Sequence, residues 1–583
     1  MKEKMHTQHS LRVTFYDVIS YMLFVAAIVY MAVIFSCAQG DDIWYDEVFS
    51  LVFSKRSVKE LIYLTSNDVH PPFYYIYLKF MAGFLGIFFR KTSYIVLAKI
   101  ASMIPWIGIF VLSITYIRKK FSLLTSGIYI FMITVMPQLG GFYIEIRMYS
   151  LAMFLITSAF IALLSIVGYK DTTNGNEYED ADNKKLINSF IVFFICGILT
   201  AYTQYYACVG IIGLYIILLV YLCHEAKIFH NDTLICDNNE SLYAGKKSEL
   251  RASIMLRVKL YIACIIGSIV LYLPWLPTLY KQMTTVSASY WIQPLTIRSI
   301  FGCIKFIYLP VSGDGVINYI SAGLMIIVTC VVTILFIFLK PDFKNLLIGM
   351  SGYITLGTVI AVGFIFSILK RPIFVYRYMI PAMGVYYLSL AFMASYIVEG
   401  ILNRECYLSI KNTSEKKDVS TKNYILSSVA LVCIIIPVIM TGHHHLNGFY
   451  YEEHMKVQHM PETYEALKNI KSDSVVITNF DQVTFLMDYY LPKRDVSYDI
   501  YLYELDTDPI VQLIVGKNQF LSEKDAPAVI KKALNEGKSA YFIGSFNSRE
   551  DILNSWREEG ITKEEEASVL LERYWFNIYK LGQ

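Results

Sequence analysis

Long apolar stretches separated by short polar segments fill the first 441 residues of the chain. A helix needs about 17 to 25 mostly apolar residues to cross the hydrocarbon core of a membrane. Eleven stretches meet this requirement, and they lie at 16–38, 94–117, 121–141, 150–168, 187–203, 207–223, 259–280, 316–339, 345–368, 379–401 and 425–441. The pattern predicts an α-helical polytopic membrane protein with about 11 transmembrane helices.

Basic residues orient these predicted helices. Lys2, Lys4 and Arg12 precede the first stretch, and Lys/Arg-rich segments favour the cytoplasmic side of a membrane. With the N-terminus in the cytoplasm, 11 crossings bring the basic loops to that side and leave the C-terminus outside. Segment 72–89 is also apolar, but a crossing there would place the later basic loops outside. We therefore expect it to be a juxtamembrane helix in the first outer loop.

The pattern changes after residue 441, where charged residues become frequent. Short apolar runs bounded by polar residues predict strands, and a 3.6-residue periodicity predicts helices. The strands are expected at 474–478 and 539–544, and the helices at 461–470, 527–535 and 548–559. The sequence thus predicts a transmembrane module at 1–441 and a small extracytoplasmic α/β domain at 442–583.

Composition excludes several classes of protein. Of the 583 residues, 55% are hydrophobic and only 17% are charged, whereas soluble domains carry about 25% charged residues. A wholly soluble protein is therefore excluded. The net charge of +3, without a dense Lys/Arg tract, gives no reason to expect a nucleic-acid partner. The 10 cysteines lack CxxC spacing, so we expect neither a disulfide framework nor a zinc site.

An acidic turn follows the first predicted span. It contains Asp41, Asp42, Asp46 and Glu47, and carboxylates at such a place are able to accept a proton or bind a cation. The alternative is a solvated turn that caps a helix, because Asp and Glu favour helix starts. Later in the same loop His70 precedes two prolines. It is either a ligand or proton carrier, or an ordinary interfacial histidine.

Two later segments bring further polar residues to the same predicted face. One contains Glu145, Arg147 and Tyr149, and the other contains Arg377 and Tyr378. Arginine makes forked, charge-assisted hydrogen bonds to phosphate, although arginines at helix ends also simply extend to the membrane interface. Transporters more often place ionisable residues within their spans. The gathering of these residues on one face favours chemistry at the membrane surface.

In order and spacing these motifs resemble glycosyltransferase family 39, the group of protein mannosyltransferases and lipid A aminoarabinose transferases with the GT-C fold. The motifs are Asp46-Glu47, the segment 70–75 (HPPFYY), the segment 145–149 (EIRMY) and Arg377-Tyr378. The resemblance covers about residues 10 to 400. It implies juxtamembrane helices in the first outer loop, as expected above for 72–89.

The resemblance also implies an activity. Members of such families move a sugar from a polyprenyl-phosphate donor to an acceptor outside the cytoplasm, which here predicts a hydroxyl acceptor on a protein, lipid or wall polymer. Asp46 would be the general base, with Glu47 as its neighbour in the acidic pair. His70, Glu145, Arg147, Tyr149, Arg377 and Tyr378 would bind donor or acceptor, with Arg147 or Arg377 stabilising the leaving phosphate. We expect inversion at the anomeric carbon and a location in a bacterial plasma membrane.

Other interpretations remain open from the sequence. Asp41, Asp42, Asp46, Glu47 and His70 are suitable ligands for Mg²⁺ or Mn²⁺, but their spacing specifies no ion, so we expect no required metal. The sugar, hexose or pentose, is not specified. The alternative from another functional class is a transporter of envelope lipid or polysaccharide. A ligase acting on a longer lipid-linked glycan is a second enzyme alternative.

Overall fold

The computed structural model describes residues 2–169, 183–235, 242–285, 294–310, 315–369, 372–409, 421–479, 481–490, 498–503, 521–545, 547–571 and 574–583. These residues form two compact units. The first unit contains Met1–Phe35, Ser102–Ile144 and Met148–Phe449. The second unit contains Ser36–Ala101, Glu145–Arg147 and Tyr450–Gln583.

The structure confirms the predicted helical, polytopic membrane architecture. Among the described residues, ten helices are long and apolar enough to cross a membrane. They are Phe15–Cys37, Tyr94–Lys120, Tyr149–Ile166, Asn183–Ala201, Tyr205–Ile228, Arg251–Thr284, Gly315–Phe338, Phe343–Leu369, Tyr376–Leu402 and Lys422–Glu453. Most side chains of Tyr149–Ile166 are buried, whereas those of Arg251–Thr284 are mostly exposed. Tyr149–Ile166 is therefore covered mainly by protein, whereas Arg251–Thr284 is not.

The predicted span at 121–141 forms a shorter helix, Leu123–Val135. Ser122 caps its start by accepting a hydrogen bond from the Thr125 amide at 3.1 Å. Pro137 follows its extended C-cap residue and prevents continuation of the helix. At 1.5 Å per residue this helix is about 20 Å long. It is buried at 12 of its 13 positions, so protein rather than lipid covers it.

Further helices complete the described part of the first unit. Leu139–Ile144 is a single short turn between two longer helices. Leu276–Thr285 continues the preceding long helix after a 3₁₀ turn at Leu273–Trp275. The other bounds are Leu242–Tyr272, Ile297–Tyr308, Ile380–Ser409 and Thr421–Lys468, the last of which belongs to the second unit from Tyr450 onward.

The first loop of the second unit, residues 38–93, is itself helical. The first helix of the chain, α1 (Lys2–Cys37), precedes it, and α2 (Tyr45–Lys55), α3 (Val58–Asn67) and α4 (Phe73–Phe88) follow. The next helix, α5 (Tyr94–Leu112), returns to a membrane-length segment. α4 has only 16 residues, whereas a spanning helix needs about 20. It corresponds to the segment expected to lie at the membrane surface.

The tail of the second unit contains a mixed five-stranded sheet. The strands are β1 (Ser474–Thr478), β2 (Tyr498–Leu502), β3 (Ala540–Gly544), β4 (Thr562–Leu571) and β5 (Tyr574–Gly582). Their order is β2-β1-β3-β5-β4; β1 pairs in parallel with β2 and β3, while β5 is antiparallel to β3 and β4. Helices Asp481–Tyr490, Ala526–Asn535 and Ser548–Glu558 accompany them. Buried Phe542 and Trp556 belong to the core of this α/β region.

The prediction for the tail is confirmed for β1, for β3 and for the last two helices. β4 was missed because Lys563 and three consecutive glutamates hide its strand pattern. It lies at the edge of the sheet, where charged residues are well tolerated. The segment 461–470 belongs mostly to the 48-residue helix Thr421–Lys468, which runs through the predicted domain boundary at residue 441. That boundary stays a prediction.

Candidate active site

The acidic turn is built around the start of α2. Glu47 is the third residue of this helix, and its Oε2 atom accepts a hydrogen bond from the Trp44 backbone amide at 3.0 Å. This bond satisfies an amide at the helix start that has no partner within the helix. The Oε1 atom of Glu47 accepts from the Ile146 amide at 2.8 Å. Glu47 thus joins two segments separated by about a hundred residues.

The segment 145–147 carries two of the predicted site residues to this turn. The Trp44 indole donates from Nε1 to Oε1 of Glu145 at 3.1 Å. The guanidinium of Arg147 donates to the backbone oxygen of Asp46 at 3.1 Å. Its Nη2 atom lies 3.8 Å from Oδ2 of Asp46, which makes a partly buried ion pair at the start of α2. Asp46, Glu47, Glu145 and Arg147 are therefore neighbours in this unit.

His70 joins the group through Arg147. Its Nε2 atom is 2.7 Å from Nη2 of Arg147, and both side chains are buried. Arginine has only donors, so Nε2 of His70 must be the acceptor and its proton must reside on Nδ1. The geometry therefore requires a neutral imidazole. Protonation of His70 would place two cations side by side and break this contact.

The other two carboxylates of the acidic turn have separate partners. Asp41 accepts a hydrogen bond from the hydroxyl of Ser93. Asp42 forms a buried ion pair with Lys99 of α5, with an Oδ1 to Nζ distance of 3.2 Å. Lys99 also donates to the Gly40 backbone oxygen at 2.9 Å. The sequence interpretation missed Lys99, although a lone lysine near the start of an apolar span is a sign of a specific partner.

This distribution bears on metal binding. Within the part of the chain that the structure describes, no three His, Cys, Asp or Glu side chains are grouped as ligands of one metal ion. Each acidic residue of the turn instead has its own partner. Asp41 binds Ser93, and Asp42 pairs with Lys99. Asp46 pairs with Arg147, and Glu47 accepts from backbone amides. That no metal is required stays a prediction.

The remaining predicted residues belong to the first unit. Tyr149 is buried at the start of helix Tyr149–Ile166, with its ring 4.9 Å from that of Phe142 in an edge-on contact. Arg377 and Tyr378 lie in the 3₁₀ turn Tyr376–Met379. The Tyr378 ring stacks on that of Tyr206 at 4.5 Å. The structure thus gathers five predicted residues in the second unit and three in the first.

The pKa of Glu47 leads to a prediction about stability. Burial raises this pKa to about 8, and repulsion from Glu145 adds to the rise, while Lys99 and the two amide hydrogen bonds oppose it. The folded state therefore holds a proton that an unfolded glutamate releases near pH 4.5. Consequently, the free energy of unfolding should fall as pH rises from about 5 to 8, by about 1.4 kcal/mol per pH unit at most from this group.

Chemical unfolding of the purified protein at several pH values, followed by tryptophan fluorescence, measures this slope. Glu47→Gln should flatten it, because glutamine does not titrate. The matched control is Glu60→Gln, since Glu60 occupies the same third position in α3 but is exposed, and its pKa is lowered by hydrogen bonds from Ser57. An equal slope in wild type and Glu47→Gln would contradict the prediction.

Comparison with known proteins identifies the fold. In sequence the chain matches no family model and no curated protein. In structure it is similar to ArnT from Cupriavidus metallidurans, solved with bound undecaprenyl phosphate, at a TM-score of 0.53 and 10% identity over 96% of this chain and 97% of ArnT. It also matches AglB, an oligosaccharyltransferase from Archaeoglobus fulgidus, over 90% of this chain and 69% of AglB, at 12% identity. The TM-score of the match to AglB is 0.40, which is too low to establish a shared fold.

The likeness to ArnT extends over almost the full length of both chains, including the small strand-containing tail region. An identity of 10% establishes a fold and nothing finer. The GT-C architecture expected from the four sequence motifs is confirmed: this chain is a polytopic membrane protein of the GT-C fold, as ArnT is.

Proposed function

We propose that the protein is a membrane glycosyltransferase that moves a sugar from a polyprenyl-phosphate donor to a hydroxyl acceptor. The observation that carries this proposal is the near full-length likeness to ArnT, whose structure holds undecaprenyl phosphate. The cluster of Asp46, Arg147 and His70 supports it, since transfer to a hydroxyl needs a base next to the acceptor. Fold alone does not define a function, so the proposal depends equally on these side chains.

Asp46 is the best candidate for the base. Its side chain is 18% exposed, whereas Glu47 is 4% exposed and uses both carboxylate oxygens on backbone amides. A base must reach the proton that it removes, and Glu47 is occupied in holding the turn together. Arg147 provides the adjacent counter-charge and restrains the orientation of the Asp46 carboxylate. We therefore assign catalysis to Asp46 and support of the turn to Glu47.

The proposed reaction is a direct displacement. The acceptor oxygen attacks the anomeric carbon from the side opposite the phosphate, while its proton passes to Asp46. The bond between the anomeric carbon and the phosphate oxygen breaks, and the polyprenyl phosphate leaves with the electron pair. One displacement inverts the configuration of the sugar. His70, Glu145, Arg147, Tyr149, Arg377 and Tyr378 remain proposed binding residues for donor or acceptor.

We also propose that the N-terminus is cytoplasmic, that the tail is extracytoplasmic and that the membrane is a bacterial plasma membrane. The basic loops support this orientation. No metal is required in the proposed mechanism, because the phosphate is already a good leaving group. The alternative function, a transporter of envelope lipid or polysaccharide, would move its cargo without breaking the bond between sugar and phosphate.

Cleavage of the bond between sugar and phosphate distinguishes the transferase from the transporter. Purified protein in lipid nanodiscs is given a panel of undecaprenyl-phosphate hexoses and pentoses with membrane lipids, peptides and wall fragments as acceptors, with and without EDTA. Mass spectrometry should detect free undecaprenyl phosphate and a glycosylated acceptor both with and without EDTA. Intact donor throughout, together with donor movement across proteoliposomes, would favour the transporter.

A further inference from the structure

The tail of the second unit contacts the acidic turn through the helix Asp481–Tyr490. The hydroxyl of Tyr490, a residue only 2% exposed, donates to the Asp41 backbone oxygen at 2.9 Å. The same hydroxyl accepts from the backbone amide of Ile43 at 3.2 Å. Ile43 is fully buried, so its amide has no access to solvent. One side chain of the tail therefore binds a carbonyl and an amide of this short backbone segment.

A second contact of the same helix involves aromatic residues of α2 on both sides of Asp46. The ring of Phe485 is 4.5 Å from that of Phe49 and 6.2 Å from that of Tyr45. Phe485 is fully buried, and such aromatic contacts stabilise beyond their buried area. The two contacts hold the segments immediately before and after Asp46. The orientation of the start of α2 therefore depends on the tail.

The helix that makes these contacts is fixed to the tail sheet. It follows β1 directly, and the hydroxyl of Thr484 is hydrogen-bonded to that of Thr478 in β1. Val483, Leu486 and Met487 are buried as well. A helix anchored in this way transmits the position of the sheet to the segment that it contacts.

We propose that Tyr490 is a positioning residue for Asp46, and that the tail orients the acidic turn for sugar transfer. This inference rests on the proposed function. Tyr490 itself does not touch the reacting atoms. It acts by holding residues 41–43, which set the direction in which α2 begins. Preorganisation of this kind raises the rate of the chemical step, because a misplaced base costs up to about a hundredfold.

The test compares two tyrosine hydroxyls of the same kind. Tyr490→Phe keeps the ring and removes the hydroxyl. The matched control is Tyr541→Phe, because the Tyr541 hydroxyl also donates to a backbone oxygen, that of Asn469 at 3.2 Å, and accepts from a backbone amide, that of Lys471 at 3.4 Å. Tyr541 is 5% exposed and lies in β3, so its loss perturbs the tail without touching the acidic turn.

Two readouts are measured on the full-length protein in nanodiscs. The first is turnover of the donor: Tyr490→Phe should lower kcat about tenfold to a hundredfold with little change in the KM for the lipid donor, while Tyr541→Phe keeps the wild-type kcat. The second is amide hydrogen exchange: peptides covering residues 41–47 should exchange faster in Tyr490→Phe only.

The outcomes separate this inference from the proposed function. If wild type consumes no donor, the proposed function fails, and the positioning role in transfer fails with it. If wild type is active but Tyr490→Phe and Tyr541→Phe share the same kcat, the positioning role is overturned. Unchanged exchange at 41–47 in Tyr490→Phe would likewise overturn it, whatever the activity.

Discussion

Asp46→Asn is expected to lower kcat for sugar transfer by about 10² to 10⁴, the usual contribution of a positioned base. Asparagine has nearly the same size and keeps an oxygen toward Arg147, but it does not accept the acceptor's proton. The effect should fall on kcat rather than on the KM for the lipid donor, because the base acts in the chemical step. Turnover of an undecaprenyl-phosphate sugar by the purified variant in nanodiscs, followed by mass spectrometry, measures it.

Asp551→Asn is the matched control, since Asp551 is an exposed carboxylate near the start of the tail helix Ser548–Glu558. It should have wild-type turnover. Full activity in a well-folded Asp46→Asn variant would remove Asp46 from the mechanism. Glu145 would then be the next candidate, because Glu47 is committed to the Trp44 and Ile146 amides.

The second large effect concerns stability at the buried pair of Lys99 and Asp42. Lys99→Met should destabilise the protein by about 3 to 5 kcal/mol, because it leaves a buried carboxylate without its counter-charge. The side chains of Lys99 and Asp42 are only 3% and 5% exposed, so water does not replace the lost partner. Chemical unfolding of the purified protein in mild detergent measures the change.

The double variant Lys99→Met with Asp42→Asn should recover much of this loss, since the Asp42 charge is then removed as well. Recovery will be incomplete because Lys99 also donates to the Gly40 oxygen and is attracted to Glu47 and Glu453. The control is Lys531→Met, which breaks the exposed pair with Glu559 and should cost at most about 1 kcal/mol. A similar loss from Lys99→Met and Lys531→Met would refute the prediction.

Hydropathy predicted most of the membrane helices because lipid offers the backbone few alternatives to a helix. The exception, Leu123–Val135, shows where this reasoning ends. Its apolar residues face other protein segments, and an apolar pattern does not distinguish burial in protein from burial in lipid. In the tail, β1 and β3 were predictable from their apolar runs, whereas β4 became a strand only through pairing with β5.

The candidate site, too, was predictable from the sequence only in part. Sequence motifs indicated Asp46, His70 and Arg147 as separate groups, without predicting that Arg147 contacts both of the others. The motif Asp46-Glu47 also did not reveal that its two carboxylates have different surroundings. Burial decided that point, since it commits Glu47 to backbone amides and leaves Asp46 partly exposed.

By itself, the sequence determined that this is a polytopic helical membrane protein with a small α/β tail, because local hydropathy and charge control the insertion of helices into lipid. Only the tertiary structure decided which polar residues become partners. Lys99 meets Asp42, and Tyr490 reaches Asp41 from 449 positions away along the chain. Such contacts depend on packing between distant segments, so the local pattern of residues does not predict them.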